Sequence, residues 1–444
     1  MIDFIGSIPV IGGPLVSVLP FLIIITIVVF VHEYGHYIIG RFCGIHAEVF
    51  SVGMGPKIYS WQDKRGTLWQ IAAIPLGGYV KFLGDANVSS FKSEPIEKNN
   101  SFNNASLKSK TLTVLAGPIA NFLLSFLIFT SLLLWHGKPS NKPIIGNIHT
   151  AFSENYDIKS GDVIVSINGR KISKFTDIYS FIHDDNIVQH ANYIIRRDGV
   201  IIDTIGPFPT VPIIGSVIPV SPASKTGLKS GDLITSFNDQ SIMSFKQLQK
   251  IIIESDTKKQ KINILRDGEI IRLSITPMLR EFKNANGEIE EKVSIGVISS
   301  SAITAMNKSI SIYEAIIDGS RRTYDVINSS FSMIKMIINN EISIKQLQGP
   351  VGIGHVASDI VKTDISSFIP LLAVISTSIG FLNLLPIPIL DGGHLVMFAY
   401  EGITKRKPNQ IYINYLAIIA LSALLTLMFF VSVNDITRIL LFWD

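Results

Sequence analysis

Four long apolar runs divide the chain, at residues 16–39, 112–135, 368–385 and 411–433. Each is near the ~20 residues a helix needs to cross a hydrocarbon core, which predicts four transmembrane helices. Between the second and third runs, apolar and polar residues alternate in short stretches bounded by glycine and asparagine, the pattern of β-strands and turns. A second strand-like region, residues 53–84, is punctuated by Gly53, Gly55, Gly77 and Gly78 and suits a hairpin. Irregular backbone of this kind enters a membrane only where protein or water satisfies its amides. At residues 304–345 the period changes: Tyr313, Ile316, Ile317, Tyr324, Ile327, Phe331, Ile334 and Ile338 fall three or four apart. This predicts an amphipathic helix. It could lie on the membrane surface, cover the membrane core, or pack against the strand-rich segment.

Composition agrees with the pattern, since 47% of residues are hydrophobic and 17% charged and the mean hydropathy is +0.38. The first run could be a cleaved signal peptide, but residues 1–15 hold no Lys or Arg and no small-residue cleavage site follows it. Short cytoplasmic loops collect positive charge. Arg41, Lys57, Lys64, Arg65, Lys81, Lys92, Lys98, Lys108 and Lys110 lie between the first two runs, and Lys405, Arg406 and Lys407 between the last two. Both termini, and the long segment after the second run, are therefore expected on the outer side. The net charge of +4 gives no reason to expect a nucleic-acid partner. The single cysteine, Cys43, excludes an internal disulfide and reads as a packing residue.

The outer segment repeats itself. Residues 158–172, IKSGDVIVSINGRKI, lie over residues 228–242, LKSGDLITSFNDQSI. The same offset brings Phe175 onto Phe245 and Ile178 onto Leu248, and Arg197-Asp198-Gly199 recurs as Arg266-Asp267-Gly268. Each copy reads as a Gly-Asp turn, an alternating strand, an Asn-Gly or Asn-Asp turn and a short amphipathic helix. These segments resemble PDZ domains. That resemblance implies peptide-binding or size-gating modules, because a PDZ groove takes an extended peptide as an added strand. A spacer without ligand fits equally.

The chemistry sits in His32-Glu33-Tyr34-Gly35-His36, an HExxH pattern inside the first apolar run. On a helix, positions i and i+4 share a face, so both imidazoles can reach one zinc ion while Glu33 stands beside it as general base for zinc-activated water. Ionisable groups within a membrane helix are costly unless they serve a function. A catalytic zinc takes a third protein ligand. The best candidate is Asp391, which follows Pro386 and Pro388 in NLLPIPILDGGH, where the prolines must break a helix. Asp391 as a helix cap, or His394 as the ligand, are the alternatives.

Taken together, HEYGH, AIPLGGYVKF, AGPIANF at residues 116–122 and LNLLPIPILDGGH resemble the site-2 protease family of intramembrane zinc metalloproteases. The similarity covers nearly the whole chain. It implies Zn2+ held by His32, His36 and Asp391, with Glu33 as general base. Substrate would be bound by Asn383, holding its backbone or assisting the oxyanion, by Gly77 and Gly78 in a membrane re-entrant β segment, and by Asn121, a support in the second span.

The implied fold is a polytopic α-helical membrane protein with four spans, a re-entrant β-hairpin on the cytoplasmic side and two extracytoplasmic PDZ domains in tandem. The segments are 1–40, the first span; 41–110, the loop with the hairpin; 111–136, the second span; 137–210 and 211–300, the PDZ pair; 301–366, amphipathic helices; 367–385, the third span; 386–410, the LDG loop; and 411–444, the fourth span and tail. The resemblance places the chain in the bacterial inner membrane, with termini and PDZ pair periplasmic. Its substrates would be single-span proteins, including an anti-sigma factor and signal-peptide remnants.

An enzyme that cuts membrane helices must stabilise an unwound substrate. An edge strand of the hairpin and Asn383 are the expected means. A metal transporter and a PDZ scaffold are the competing classes; neither needs Glu33.

Overall fold

A run of some twenty apolar residues has no amphipathic face, so its helix is set by backbone bonding alone and takes its neighbours as they come. The computed structural model describes residues 12–84, 100–153, 156–183, 190–283, 289–339, 341, 347–363 and 365–443. Lys92, Lys98 and the extreme N-terminus, used above to argue orientation, lie outside those residues. Among the described residues, four helices are long and apolar enough to cross a membrane: Val18–Phe42, Leu107–His136, Ile365–Asn383 and Ile411–Thr437. Their exposed positions are apolar, as at Ile419 and Phe429 on the last of them, which suits lipid rather than water.

The chain forms two units. The first contains α1 (Gly12–Phe42), α2 (Leu107–His136) as far as Leu132, α3 (Ile312–Ile338), α4 (Pro350–Thr363) as far as Ser358, α5 (Phe368–Asn383), α6 (Asp391–Thr404) and α7 (Gln410–Trp443). It also contains the antiparallel pair β1 (Ala47–Gln62) and β2 (Leu68–Phe82).

The hairpin is longer than the glycine pattern suggested, beginning at Ala47 rather than Gly53. Val49–Val52 are paired on both sides, opposite Leu68–Ile71 and opposite Gly78–Lys81, so two bent strands make a broader sheet. The bend in β2 falls at Gly77, whose φ of +107° suits only glycine. At the tip, Asp63 accepts the amides of Arg65 and Thr67 through Oδ1 and meets Tyr37 and Trp69 through Oδ2. Tyr37 follows His36, so the tip is tied to the helix that carries the HExxH pattern. Met54, Ile58, Tyr59, Trp61, Ile71 and Ile74 are exposed on this hairpin.

Helix α3 inverts the usual amphipathic arrangement. Its buried residues are the small Ala315, Gly319 and Thr323, one turn apart, with Gly319 against Thr130 of α2. Tyr313, Tyr324, Phe331 and Ile338 of the apolar stripe stay exposed. Close small-residue packing against a span is the way helices associate within lipid. Among the described residues, α4 places Ala357 in a core with Ile24 and Val28 of α1 and Leu372 of α5.

The second unit carries the repeat. Its first copy is a four-stranded sheet of Arg170–Lys171, Val163–Ile167, His190–Arg197 and Val200–Pro207. The second is built on Glu269–Ile275, Gln260–Arg266, Leu233–Phe237, Ile213–Val217 and Val297–Ser300. The short helix of each copy is wound differently, as a 3-10 helix at Phe175–His183 and an α-helix at Phe245–Glu254. Ser244 caps the latter by accepting from the Gln247 amide.

Asp162 and Asp232 are each all but fully buried. Arg197 holds Asp162 with two bonds of 2.8 Å, and Arg266 holds Asp232 with two of 2.7 Å. The amides of Lys159 and Lys229 complete the two sites at 2.7 and 2.8 Å. Strands Ile303–Ala305 and Asn307–Lys308, assigned above to a helical segment, instead pair with Ile145–Ile148 and Lys138–Pro139. Ile303 thereby joins the core of the first copy.

Candidate metal centre

Three side chains from two distant stretches of the sequence converge in the first unit. His32 and His36 share one face of α1, and Asp391 opens α6; their ligand atoms lie within 4.8 Å of one another. Asp391 Oδ2 is 3.1 Å from His32 Nε2 and 3.5 Å from His36 Nε2, and the two Nε2 atoms are 3.1 Å apart. Pro386 and Pro388 end α5 and delay the next helix until Asp391, which fixes its place at a helix start. Asp391 is not spent as a cap: the capping position is Leu390, with no side-chain cap bond. His394, the other candidate ligand, is outside this group, and its ring lies toward Phe398.

The donor set fits a metal ion. Asp391 Oδ2 is buried without a hydrogen-bond partner, a costly state for a carboxylate oxygen unless a cation meets it. His36 directs Nδ1 at the Thr113 carbonyl 2.9 Å away. A carbonyl only accepts, so Nδ1 carries the proton and Nε2 presents its lone pair toward Asp391. Two imidazole nitrogens and one carboxylate oxygen are the ligand set of a catalytic zinc with an open position.

Access to this spot depends on bare backbone in α2. A Cβ on Gly117 would stand 2.3 Å from His36 Nε2 and 2.9 Å from His32 Cε1, so only glycine lets the second span pass this close.

Glu33 accepts the Val80 amide at Oε2, 3.1 Å away. The neighbouring Gly78 is also close, since a Cβ there would lie 3.5 Å from Glu33 Cγ and 2.7 Å from the Ser51 carbonyl oxygen. Gly77 sits at the bend just before it. Asn383 is the last residue of α5, partly exposed. Asn121 is fully buried, with Nδ2 3.3 Å from His32 Nδ1; the structure thus places it behind a histidine rather than on an open surface. Thr113, Val80 and Ser376, whose Oγ donates to the Asn121 carbonyl at 2.9 Å, were not singled out from sequence. The first two act through backbone atoms, which leave no mark on residue type.

The chain belongs to peptidase family M50, the site-2 protease family, whose model matches residues 20–427, and it is a zinc metalloprotease. Among its relatives is a protein of Agrobacterium fabrum whose name carries the words zinc metalloprotease, 30% identical over 433 residues and covering 95% of this chain and 96% of the relative. Metalloprotease MmpA of Caulobacter vibrioides is 29% identical, covering 96% of each. The regulator of sigma-E protease RseP of Escherichia coli is 28% identical, covering 94% of this chain and 98% of RseP.

Proposed function

We propose that this zinc metalloprotease hydrolyses peptide bonds within the transmembrane helices of single-span proteins, with His32, His36 and Asp391 holding Zn2+ and Glu33 as general base. The observation that carries the reading is the convergence of those three ligands on helices of membrane-spanning length. Zinc supplies Lewis acidity there, activating water and polarising a carbonyl. Glu33, fixed by the Val80 amide, takes the proton from the attacking water and delivers it to the leaving amine. The apolar exposure of the hairpin around Met54, Ile58 and Ile74 supports a re-entrant position in the bilayer. There the backbone around Gly77 and Gly78 pairs with the unwound substrate, and Asn383 bonds its freed amides and carbonyls.

The repeats of the second unit serve as a PDZ tandem that excludes substrates with bulky exterior portions. Two cavities support this. One, of about 780 Å³, is lined by Phe175, Ile178, Tyr179, Phe245, Ile303 and Met306. The other, of about 430 Å³, lies between the helix Phe245–Glu254 and the strand Val297–Ser300. Each lies where a peptide strand could be added. The charge pattern supports a periplasmic position for these repeats and both termini, and the likeness to RseP supports a bacterial inner membrane. Similarity to RseP, named as regulator of sigma-E protease, supports an anti-sigma factor as one substrate, with signal-peptide remnants as another class.

Glu33→Gln tests the reading directly. The variant should keep zinc and fold while cleavage of a single-span substrate falls roughly 10²–10⁴-fold. Full cleavage by this variant would refute the assignment of the base. Asn383→Ala should slow cleavage of stable helices more than of helices already weakened by Gly or Pro; equal slowing would remove the unwinding role.

A further inference from the structure

Cations gather where the N-terminal end of α2 meets the C-terminal end of α6. The two ends touch, since a Cβ on Gly402 would lie 3.3 Å from Leu107 Cδ2. Lys108 and Lys110 stand on the first turn of α2, and Lys405, Arg406 and Lys407 follow α6 in the short connection to α7. Lys110 is buried, with its ammonium donating to the Asn103 carbonyl at 2.8 Å. Glu401 offsets the charge of Lys110, and Lys407 adds to it. Lys108, Lys405, Arg406 and Lys407 are exposed and form no ion pair among the described residues. Four positive charges are thus left without a partner of opposite sign.

Their setting is aromatic and apolar. Tyr400 and Ile403 of α6 and Tyr412 and Tyr415 of α7 are all exposed. Tyrosine beside lysine and arginine at the end of a span is the composition that meets the headgroup layer of a bilayer, where anionic phosphate supplies the opposite charge. A soluble acidic partner would meet the cations but leave Ile403, 82% exposed, in water. Lys405 itself takes the left-handed cap of α6 at φ +57°, where glycine is the ordinary residue. A positive charge stands there although the backbone favours glycine.

We propose that the adjoining ends of α2 and α6 form a docking site for the phosphate headgroups of anionic phospholipids, and that this contact supports turnover by bracing the helix that opens with Asp391. Helix α6 has 14 residues and so is about 21 Å long. Restraint at Lys405 is carried along it to the candidate ligand at its other end. The docking site rests on the spans alone, and the bracing role rests on the proposed protease reading.

The full-length chain is reconstituted in phosphatidylcholine vesicles with and without phosphatidylglycerol. Wild type is compared with a variant combining Lys108→Gln, Lys405→Gln, Arg406→Gln and Lys407→Gln. Spin-labelled lipids report contact directly: wild type should favour phosphatidylglycerol over phosphatidylcholine, and removing the cations should lower that preference by up to about fivefold per charge. Lys405→Gly, which suits the left-handed cap, should lower it in the same direction and serves if the combined variant fails to fold. Cleavage of a single-span substrate by wild type should rise with the phosphatidylglycerol fraction. The combined variant should stay at the wild-type rate in phosphatidylcholine alone, with equal zinc content. Undiminished preference in both variants would overturn the site. Inorganic phosphate that raised cleavage in phosphatidylcholine as far as phosphatidylglycerol does would overturn the lipid as occupant. Lost preference with unchanged cleavage would overturn the bracing role. No cleavage in any vesicle would count against the protease reading instead, and the spin labels would still decide the site.

Discussion

The same side chain is used in opposite ways in the two units. Asp162 and Asp232 are buried, and each is closed by a two-pronged arginine and a backbone amide. Asp391 is also largely buried, yet its Oδ2 faces two imidazoles without a hydrogen-bond donor. A carboxylate whose bonds are all made is structural, and one left short of donors is reserved for a cation. Completion of bonding, more than burial, separates scaffold from chemistry here.

The sharpest way to break this comparison is to remove each carboxylate in turn. Asp391→Ala should abolish zinc binding and proteolysis while leaving the repeats folded, measured by metal content and cleavage of a single-span substrate. Next in size is Gly117→Ala, whose methyl would displace His36; misplacement of this order costs about a hundredfold in rate. Activity within a few-fold of wild type would show that the second span can yield.

On the scaffold side, Asp232→Ala leaves Arg266 without its carboxylate partner and should destabilise the second repeat by about 2–4 kcal/mol. That figure is discounted from a fully buried pair because Arg266 is 23% exposed. Hydrogen exchange in Gln260–Arg266 would report it, with zinc content unchanged.

The smallest effect is that of acid. Burial pushes the Asp162 carboxyl up, but the Arg197 hydrogen bonds and the Lys159 amide outweigh it and hold the group below its ordinary value. Such a carboxylate stabilises the fold above its unfolded pKa of ~3.9 and loses that contribution as pH falls through the lower folded value. The first repeat should loosen in acid below about pH 4, and Asp162→Asn should remove that dependence.

The candidate site was legible where it is local or depends on residue type. The i, i+4 spacing puts His32 and His36 on one helix face, and a proline-broken helix singles out Asp391. The KSGD repeat announced two copies, and the recurring Arg-Asp-Gly held the unread signal that Arg197 and Arg266 would close on Asp162 and Asp232. What could not be read depends on long-range backbone. The Val80 amide on Glu33, the Thr113 carbonyl on His36 and the double pairing of Val49–Val52 follow from close approach, which no periodicity encodes. Likewise α3 was visible as amphipathic, but its side of attachment was not, because small residues, Ala315, Gly319 and Thr323, rather than the apolar stripe, are buried.

The return of the chain at Asn307–Lys308 to lie beside Lys138–Pro139 has a practical corollary. Everything between those two short strands is an insert with neighbouring ends, removable by a graft of a few residues at little entropic cost. An excision that stopped at residue 300 would instead strand Ile303–Ala305 without the partner it has in Ile145–Ile148. Under the proposed size filter, modules of other sizes exchanged at these paired strands would measure how large a substrate's outer portion can be before cutting stops.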